Sequence, residues 1–197
     1  MAGLLSNFRN TFIVGLVLAG VMIWAYSQGP QGTGEAFFVA VFRWMHVFFG
    51  ILWIGLLYYF NFVQIRVMPA VPAELKPGVS KYIAPEALFW FRWAAVVTWL
   101  AGAALLGRHF LDAFLFLNKS YYAIGVGAWL GTIMLINVWG LIWPNQKKIL
   151  GMVQATDEEK NRARRVAFLA SRTNTMFSLP MLYFMAAGAH TALFYGR

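Results

Sequence analysis

Long apolar runs separated by short polar linkers dominate the chain. The runs cover about residues 10–27, 36–66, 87–107, 120–143 and 173–195. Each run suits a helix that crosses the roughly 30 Å of bilayer hydrocarbon, and a helix keeps its backbone hydrogen bonds within the segment. The pattern predicts an all-α, polytopic integral membrane bundle of about five transmembrane helices, with residues 1–197 forming a single membrane domain.

The composition agrees with lipid as the solvent. Hydrophobic residues make up 60% of the chain, charged residues only 12%, and the mean hydropathy is +0.62, whereas an ordinary globular domain is about a quarter charged. The net charge is +9, but the basic residues lie between apolar runs, which favours the lipid bilayer as partner and not a nucleic acid. The absence of cysteine excludes iron–sulfur clusters and covalent attachment of a c-type haem.

The distribution of Lys and Arg predicts the orientation. Eleven of the 16 basic residues lie before the first run or in the second and fourth linkers, and three lie on the opposite side. The positive-inside rule therefore places the N-terminus in the cytoplasm and the C-terminus outside.

Two linkers have predictable structure. The second, residues 68–85, contains four prolines and is expected to be an irregular cytoplasmic loop. In the fourth, Thr156 and Glu159 form a capping-box pattern, which predicts a cytoplasmic helix over about residues 157–172. In the fourth apolar run, Gly127 and Gly131 indicate close helix contact, and Asn137 is expected to bond a neighbouring helix.

Polar residues of the second apolar run fall on one stripe. Steps of three and four from Arg43 pass through His46, Gly50, Trp53, Leu57, Asn61 and Gln64. Because lipid offers polar groups no partner, this stripe is expected to face the interior of the bundle.

Two histidines are expected at the same depth. His46 lies 20 residues before Arg66, and His190 lies 18 residues after Arg172, which correspond to about 30 Å and about 27 Å of helix. Both histidines should therefore lie near the outer face, as two axial ligands of one b-type haem would. Bis-histidine ligation saturates the iron and suits electron transfer.

Neighbouring residues support a haem site on this stripe. Gly50 lies one turn from His46 and leaves room for a flat macrocycle, with Trp53 next on the stripe, and Arg43 lies where a propionate would meet the interface. His109 is a reserve ligand or an exposed loop residue. The alternative is that His46 is a hydrogen-bonded packing residue and that Arg43 extends to the headgroups; no catalytic residue is assigned.

Three stretches carry a resemblance to a known family. RWMHVFFGILWIGLLYYFNFVQ, LIWPNQKKILG and ASRTNTMFSLPMLYFM together resemble the membrane domain of the bacterial urate hydroxylase family, the urate oxidase N-terminal domain. Members of that family join a membrane domain to a C-terminal cytochrome c domain and are associated with urate oxidation. Because this chain has no cysteine, the resemblance implies a membrane redox module whose electron-accepting cytochrome is another polypeptide.

The expected function is thus a membrane-embedded redox module with haem b near the periplasmic face. It would pass electrons to or from a separate cytochrome c or other membrane redox subunit. If it is an enzyme, the resemblance implies an oxidoreductase similar to urate hydroxylase. The alternative is a non-catalytic accessory or structural subunit of a larger membrane complex without cofactor; the substrate and the homo- or hetero-oligomeric state are left open.

Overall fold

The computed structural model describes residues 5–29 and 34–189 of the chain. Within these residues every regular element is a helix, which confirms the predicted all-α class. Residues 1–42 and residues 43–197 form two compact units, and each is described by itself.

The principal helices of the described residues are numbered in chain order. They are α1 (Phe8–Ser27), α2 (Glu35–Tyr58), α3 (Ala84–Leu106), α4 (Tyr122–Ile136), α5 (Trp143–Ile149) and α6 (Asp157–Ala189). With the short turns that extend them, four helical stretches are long and apolar enough to cross a membrane: Phe8–Ser27, Glu35–Ala70, Lys76–Phe114 and Lys119–Ile149. The predicted polytopic membrane class is confirmed.

Three π-helical turns interrupt the regular helices. They are Tyr59–Gln64 after α2, Val79–Ile83 before α3 and Asn137–Ile142 between α4 and α5. The first and third of these turns contain Asn61 and Asn137, which both hydrogen-bond to α6. A π turn changes the direction of a helical side chain and is frequent at functional sites.

The second linker is more helical than its prolines predict. The helix resumes at Lys76, and irregular backbone is confined to residues 71–75. Pro77 and Pro85 each lie in the first turn of a helix, where the missing N–H has no intrahelical partner to lose. The expectation of an irregular loop over residues 68–85 is therefore wrong for most of its length.

Helix α6 joins the predicted cytoplasmic helix to the last apolar run. Its N-terminus has the predicted capping box: the Thr156 N–H donates to Glu159 at 2.8 Å, and the Glu159 N–H donates to the Thr156 hydroxyl at 3.2 Å. Pro180 lies inside the helix without ending it. Residues 190–195 of the predicted run 173–195 lie outside the described residues.

The core of residues 43–197 lies where α2, α3, α4 and α6 meet. Its fully buried side chains include Leu57, Phe91, Met134 and Val138. Helix α6 packs closely on α4 at Gly127, where a Cβ would lie 3.4 Å from Met185, at the edge of ordinary van der Waals contact. The predicted close contact at this glycine is confirmed, whereas a Cβ at Gly131 would meet nothing within 4 Å.

Candidate functional site

The stripe on the second helical stretch points into the bundle over most of its length. Trp53, Leu57 and Asn61 are at most 2% exposed. Gly50 and His46 are half-buried, and Arg43 at the outer end is exposed. The predicted inward orientation is therefore confirmed for the inner part of the stripe.

His46 is held by the backbone of α3. Its Nδ1 lies 2.8 Å from the carbonyl oxygen of Thr98. Since a carbonyl can only accept, Nδ1 must carry the hydrogen, and in the neutral ring Nε2 then presents its lone pair. No described residue bonds to that nitrogen. A histidine that ligates a metal usually donates its other N–H to such an acceptor, which fixes the tautomer and the ring orientation.

Gly102 makes the position of the His46 ring possible. A Cβ at Gly102 would lie 2.9 Å from both Cε1 and Nδ1 of the imidazole, which is closer than real Cβ contacts. Gly102 also follows Thr98 by four residues, so its missing side chain leaves the Thr98 carbonyl open to the ring. Sequence reasoning missed this partner; the small residues of LAGAALLG were its only signal.

The other predicted residues of the haem site differ in their surroundings. A Cβ at Gly50 would lie 3.7 Å from the Thr98 side chain, so Gly50 faces α3. The indole N–H of Trp53 is buried and has no hydrogen-bond partner among the described residues. Arg43 forms no ion pair with a described residue.

The reserve ligand His109 has partners on both ring nitrogens. Its Nδ1 lies 3.0 Å from Asp112 Oδ2, and its Nε2 accepts a hydrogen bond from Arg108 Nε at 3.1 Å. The ring also stacks on Tyr121 with centroids 4.6 Å apart. Ligation by His109 would require the Arg108 contact to break, so this structure favours a local role for it.

The second predicted ligand, His190, lies outside the described residues. In the described part of the chain no group of three or more His, Cys, Asp or Glu side chains could hold a metal ion. A bis-histidine site requires two ligands and no carboxylate. Of the two predicted ligands, the described residues include His46 alone, whose Nε2 is open.

A second polar feature joins α6 to the rest of the bundle. Asn61 Nδ2 donates to the Ser171 hydroxyl at 2.8 Å, and the hydroxyls of Tyr58 and Ser178 lie 3.0 Å apart. On the fourth helical stretch, Asn137 Nδ2 donates to Asn174 Oδ1 at 3.0 Å. We call these three pairs the buried polar interface.

The buried polar interface follows one face of α6. Ser171, Asn174 and Ser178 recur at steps of three and four, and the last two are fully buried. Asn174 Nδ2 also donates to the Met134 carbonyl at 3.0 Å. The spacing on α6 was available in the sequence, but the partners on the second and fourth helical stretches were not. The expectation that Asn137 bonds a neighbouring helix is confirmed.

These features define a class: a polytopic all-α membrane protein whose helices are joined by buried side-chain hydrogen bonds. Residues 108–197 match the family model described as urate oxidase N-terminal, which confirms the resemblance predicted from the sequence. The match includes residues 141–151 and 170–185, two of the three stretches that carried the resemblance. The stretch 43–64 with His46 lies outside it. Searches of curated proteins and of solved structures found no match.

Proposed function

We propose that the chain is a membrane-embedded redox module that binds one b-type haem through His46 and His190. The observation that carries the proposal is the oriented imidazole of His46, with Nδ1 bonded to Thr98 and Nε2 open. A hydrogen-bonded packing histidine needs one partner, but it does not need a glycine that accommodates its ring. The contact with Gly102 fits a ring that must keep one orientation.

A bound haem would supply one-electron redox chemistry. In this chain, His46 would hold the group through Nε2, since the bond from Nδ1 to the Thr98 carbonyl of α3 fixes the orientation of the ring. Arg43, exposed and one turn outward, would pair with a propionate carboxylate. The described residues fit this half of the site.

We further propose that the module lies in a bacterial inner membrane with the haem near the periplasmic face. Electrons would pass to or from a separate cytochrome, because the chain has no cysteine to attach a c-type haem of its own. The family match supports this direction, since the description of that family is the N-terminal part of a urate oxidase. Urate is accordingly the first electron donor to try.

The test is a reduced-minus-oxidised spectrum of protein purified from haem-replete cells, with the haem content measured as pyridine haemochrome. We expect about one haem per chain with a Soret band. His46→Ala should abolish it, while the matched control His109→Ala should keep it. A folded wild-type protein without a Soret band would overturn the proposal. If haem is present, reduction by urate separates an enzyme from a carrier.

The buried polar interface favours a second candidate, a cofactor-free subunit of a larger membrane complex. The side-chain N–H groups of Asn61, Asn137 and Asn174 all find protein acceptors, as residues that serve helix packing would. This candidate predicts a stable complex without haem and tolerance of His46→Ala. The same spectrum, run on wild-type protein and on His46→Ala, decides between the two.

A further inference from the structure

A cavity lies at the end of the bundle opposite to that predicted for the haem. Its volume is about 520 Å³, within the range of ordinary ligand sites, about 300–1,000 Å³. It is lined by the π turn after α2, the start of α3, α5 and α6, together with the second linker. The second linker contributes Lys76 and the fourth contributes Arg164, and both linkers are predicted to be cytoplasmic.

The charged groups of this cavity are cations. Lys76 and Arg164 line it, and none of its lining residues is acidic. Within the described residues neither side chain has a carboxylate within 4.0 Å. Arg164 Nη1 donates to Asn161 at 2.7 Å, which leaves the other N–H groups of the guanidinium for a ligand. The amides of Gln64 and Gln146 line the same space.

The rest of the wall is apolar. Phe60, Leu88, Phe91, Ile142 and Phe168 line the cavity beside the two cations. A small inorganic anion would leave these surfaces uncovered. An amphiphile with an anionic head and a hydrocarbon body would match both parts of the wall.

One buried acceptor in the cavity wall has no donor. Gln64 Oε1 is inaccessible to solvent, and no described residue donates to it. A buried carbonyl without a partner destabilises the fold. The oxygen has no surface open to the cavity, so a ligand hydroxyl would satisfy it only after the Gln64 side chain rotates toward the cavity.

We propose that this cavity binds the head of an anionic phospholipid whose headgroup carries a hydroxyl, such as phosphatidylglycerol. The phosphate lies between Lys76 and Arg164, and the acyl chains leave along the apolar wall toward the bilayer. The hydroxyl donates to Gln64 Oε1 once that side chain has rotated into the cavity. Basic pockets between membrane helices on the cytoplasmic side are a general form of lipid headgroup site. The proposal is independent of haem binding.

The test is lipid retention in native mass spectra of the full chain, released from detergent after titration with phosphatidylglycerol or with phosphatidylcholine of equal chain length. The cavity variant is Lys76→Gln with Arg164→Gln. The control is Lys81→Gln with Arg165→Gln, which removes equal charge from exposed residues outside the cavity. We expect phosphatidylglycerol to bind about twenty-five-fold more weakly to the cavity variant, since each of the two cations near an anionic headgroup contributes roughly fivefold.

Three results would overturn the proposal. Equal weakening in the control variant would show general attraction to a basic surface, and unchanged binding in the cavity variant would show that the cavity takes no part. Competition by free glycerol 3-phosphate at the concentration of the lipid would assign the site to a soluble phosphate.

A further variant separates ligand binding from folding. Gln64→Leu removes the unsatisfied oxygen, so the lipid-free protein should be at least as stable as wild type while its retention of phosphatidylglycerol falls. A variant that lost stability without lipid and kept its lipid affinity would show that Gln64 serves the fold alone, and would remove the hydroxyl contact from the proposal.

Discussion

The orientation of His46 depends on two atoms of α3 and on one missing side chain. The Thr98 carbonyl fixes the hydrogen on Nδ1, and Gly102 leaves the space that the ring occupies. His46 Nε2 has no partner in the described residues, so this nitrogen is open to a contact from outside them.

Gly102→Ala should therefore disturb His46 directly. The new methyl group would lie about 2.9 Å from the ring, so the imidazole must move and its bond to Thr98 must lengthen. We expect a loss of about 1–3 kcal/mol in the free energy of unfolding. We also expect roughly tenfold weaker haem retention, as for other residues that orient a metal ligand. Haem content and thermal unfolding check these two effects.

Gly131→Ala is the matched control, because a Cβ there would meet nothing within 4 Å. Its expected effect is a gain of about 0.5–1 kcal/mol from helix propensity, with unchanged haem content. If Gly102→Ala behaved like Gly131→Ala, the contact between α3 and His46 would contribute neither to haem retention nor to stability.

The sequence indicates which side chains are polar and buried, but not which backbone they meet. The three-and-four spacing placed Trp53, Leu57 and Asn61 on the inner face of the second helical stretch, and burial confirms it. The contact of His46 with Gly102 joins positions that are far apart in the chain, and it depends on how two helices cross. Hydrophobic periodicity carries no information about that crossing.

At the scale of helices, side-chain hydrogen bonds fix how α6 meets its neighbours. Asn174 accepts from Asn137 and donates to the Met134 carbonyl, and both bonds measure 3.0 Å. In lipid no water is present to hydrogen-bond an unpaired amide, so the two asparagines should be energetically coupled.

A double-mutant cycle of Asn137→Ala and Asn174→Ala measures this coupling. We expect about 0.6 kcal/mol, the average for membrane side-chain hydrogen bonds, and at most about 1.7 kcal/mol. Asn174→Ala should be the more damaging single change, because it also removes the bond to Met134. Unfolding by SDS in mixed micelles, followed by circular dichroism, gives the free energies.

Asn145→Ala paired with Asn174→Ala is the control cycle. Asn145 donates only within its own helix, to the Leu141 carbonyl at 2.8 Å, so these two changes should be additive. Additivity in the first cycle as well would mean that the bond between α4 and α6 contributes nothing to stability.

The start of α6 should respond to acid. The hydrogen bond from the Thr156 N–H lowers the pKa of the Glu159 carboxyl below its ordinary value. A lowered folded pKa means that the contribution is present above the unfolded pKa and is lost as the pH falls through the folded one. The amide protection of residues 157–161, corrected for intrinsic exchange, should therefore decrease when the pH falls below the range in which glutamate ordinarily titrates.

Two variants separate the halves of the capping box. Glu159→Gln should remove the acid dependence, since the amide does not titrate there. Thr156→Ala should speed exchange at the first turn about fivefold at neutral pH, from a cap contribution of about 1 kcal/mol. If the acid dependence persisted in Glu159→Gln, its cause would be another titrating group.

The local sequence specifies some elements of the fold more clearly than others. The capping box was predicted because its two residues lie within one turn. The helix that begins at Lys76 was not predicted, because a proline in the first turn of a helix and a proline in a loop look alike in sequence. The π turns were also not predicted, since apolar periodicity over a few residues does not separate them from an α-helix.

At the scale of the whole molecule, the cavity relates two linkers that are distant in the chain. Lys76 of the second linker and Arg164 of the fourth line the same space, so both linkers lie at one end of the bundle. The positive-inside rule had placed them on one side from charge alone. Charge and packing are independent, and they agree.

The absence of cysteine makes this topology directly measurable. Single cysteines at exposed positions, Glu74→Cys in the second linker, Ser120→Cys in the third and Gln154→Cys in the fourth, would be labelled against no native background. In intact cells with a permeable outer membrane, an impermeant maleimide should label Ser120→Cys. In inverted inner-membrane vesicles it should label Glu74→Cys and Gln154→Cys instead. If Glu74→Cys and Gln154→Cys were labelled from opposite sides of the membrane, the two linkers could not share a cavity. If all three positions were labelled from the side opposite to that expected, the cavity would stand, but its two cations would lie at the periplasmic leaflet.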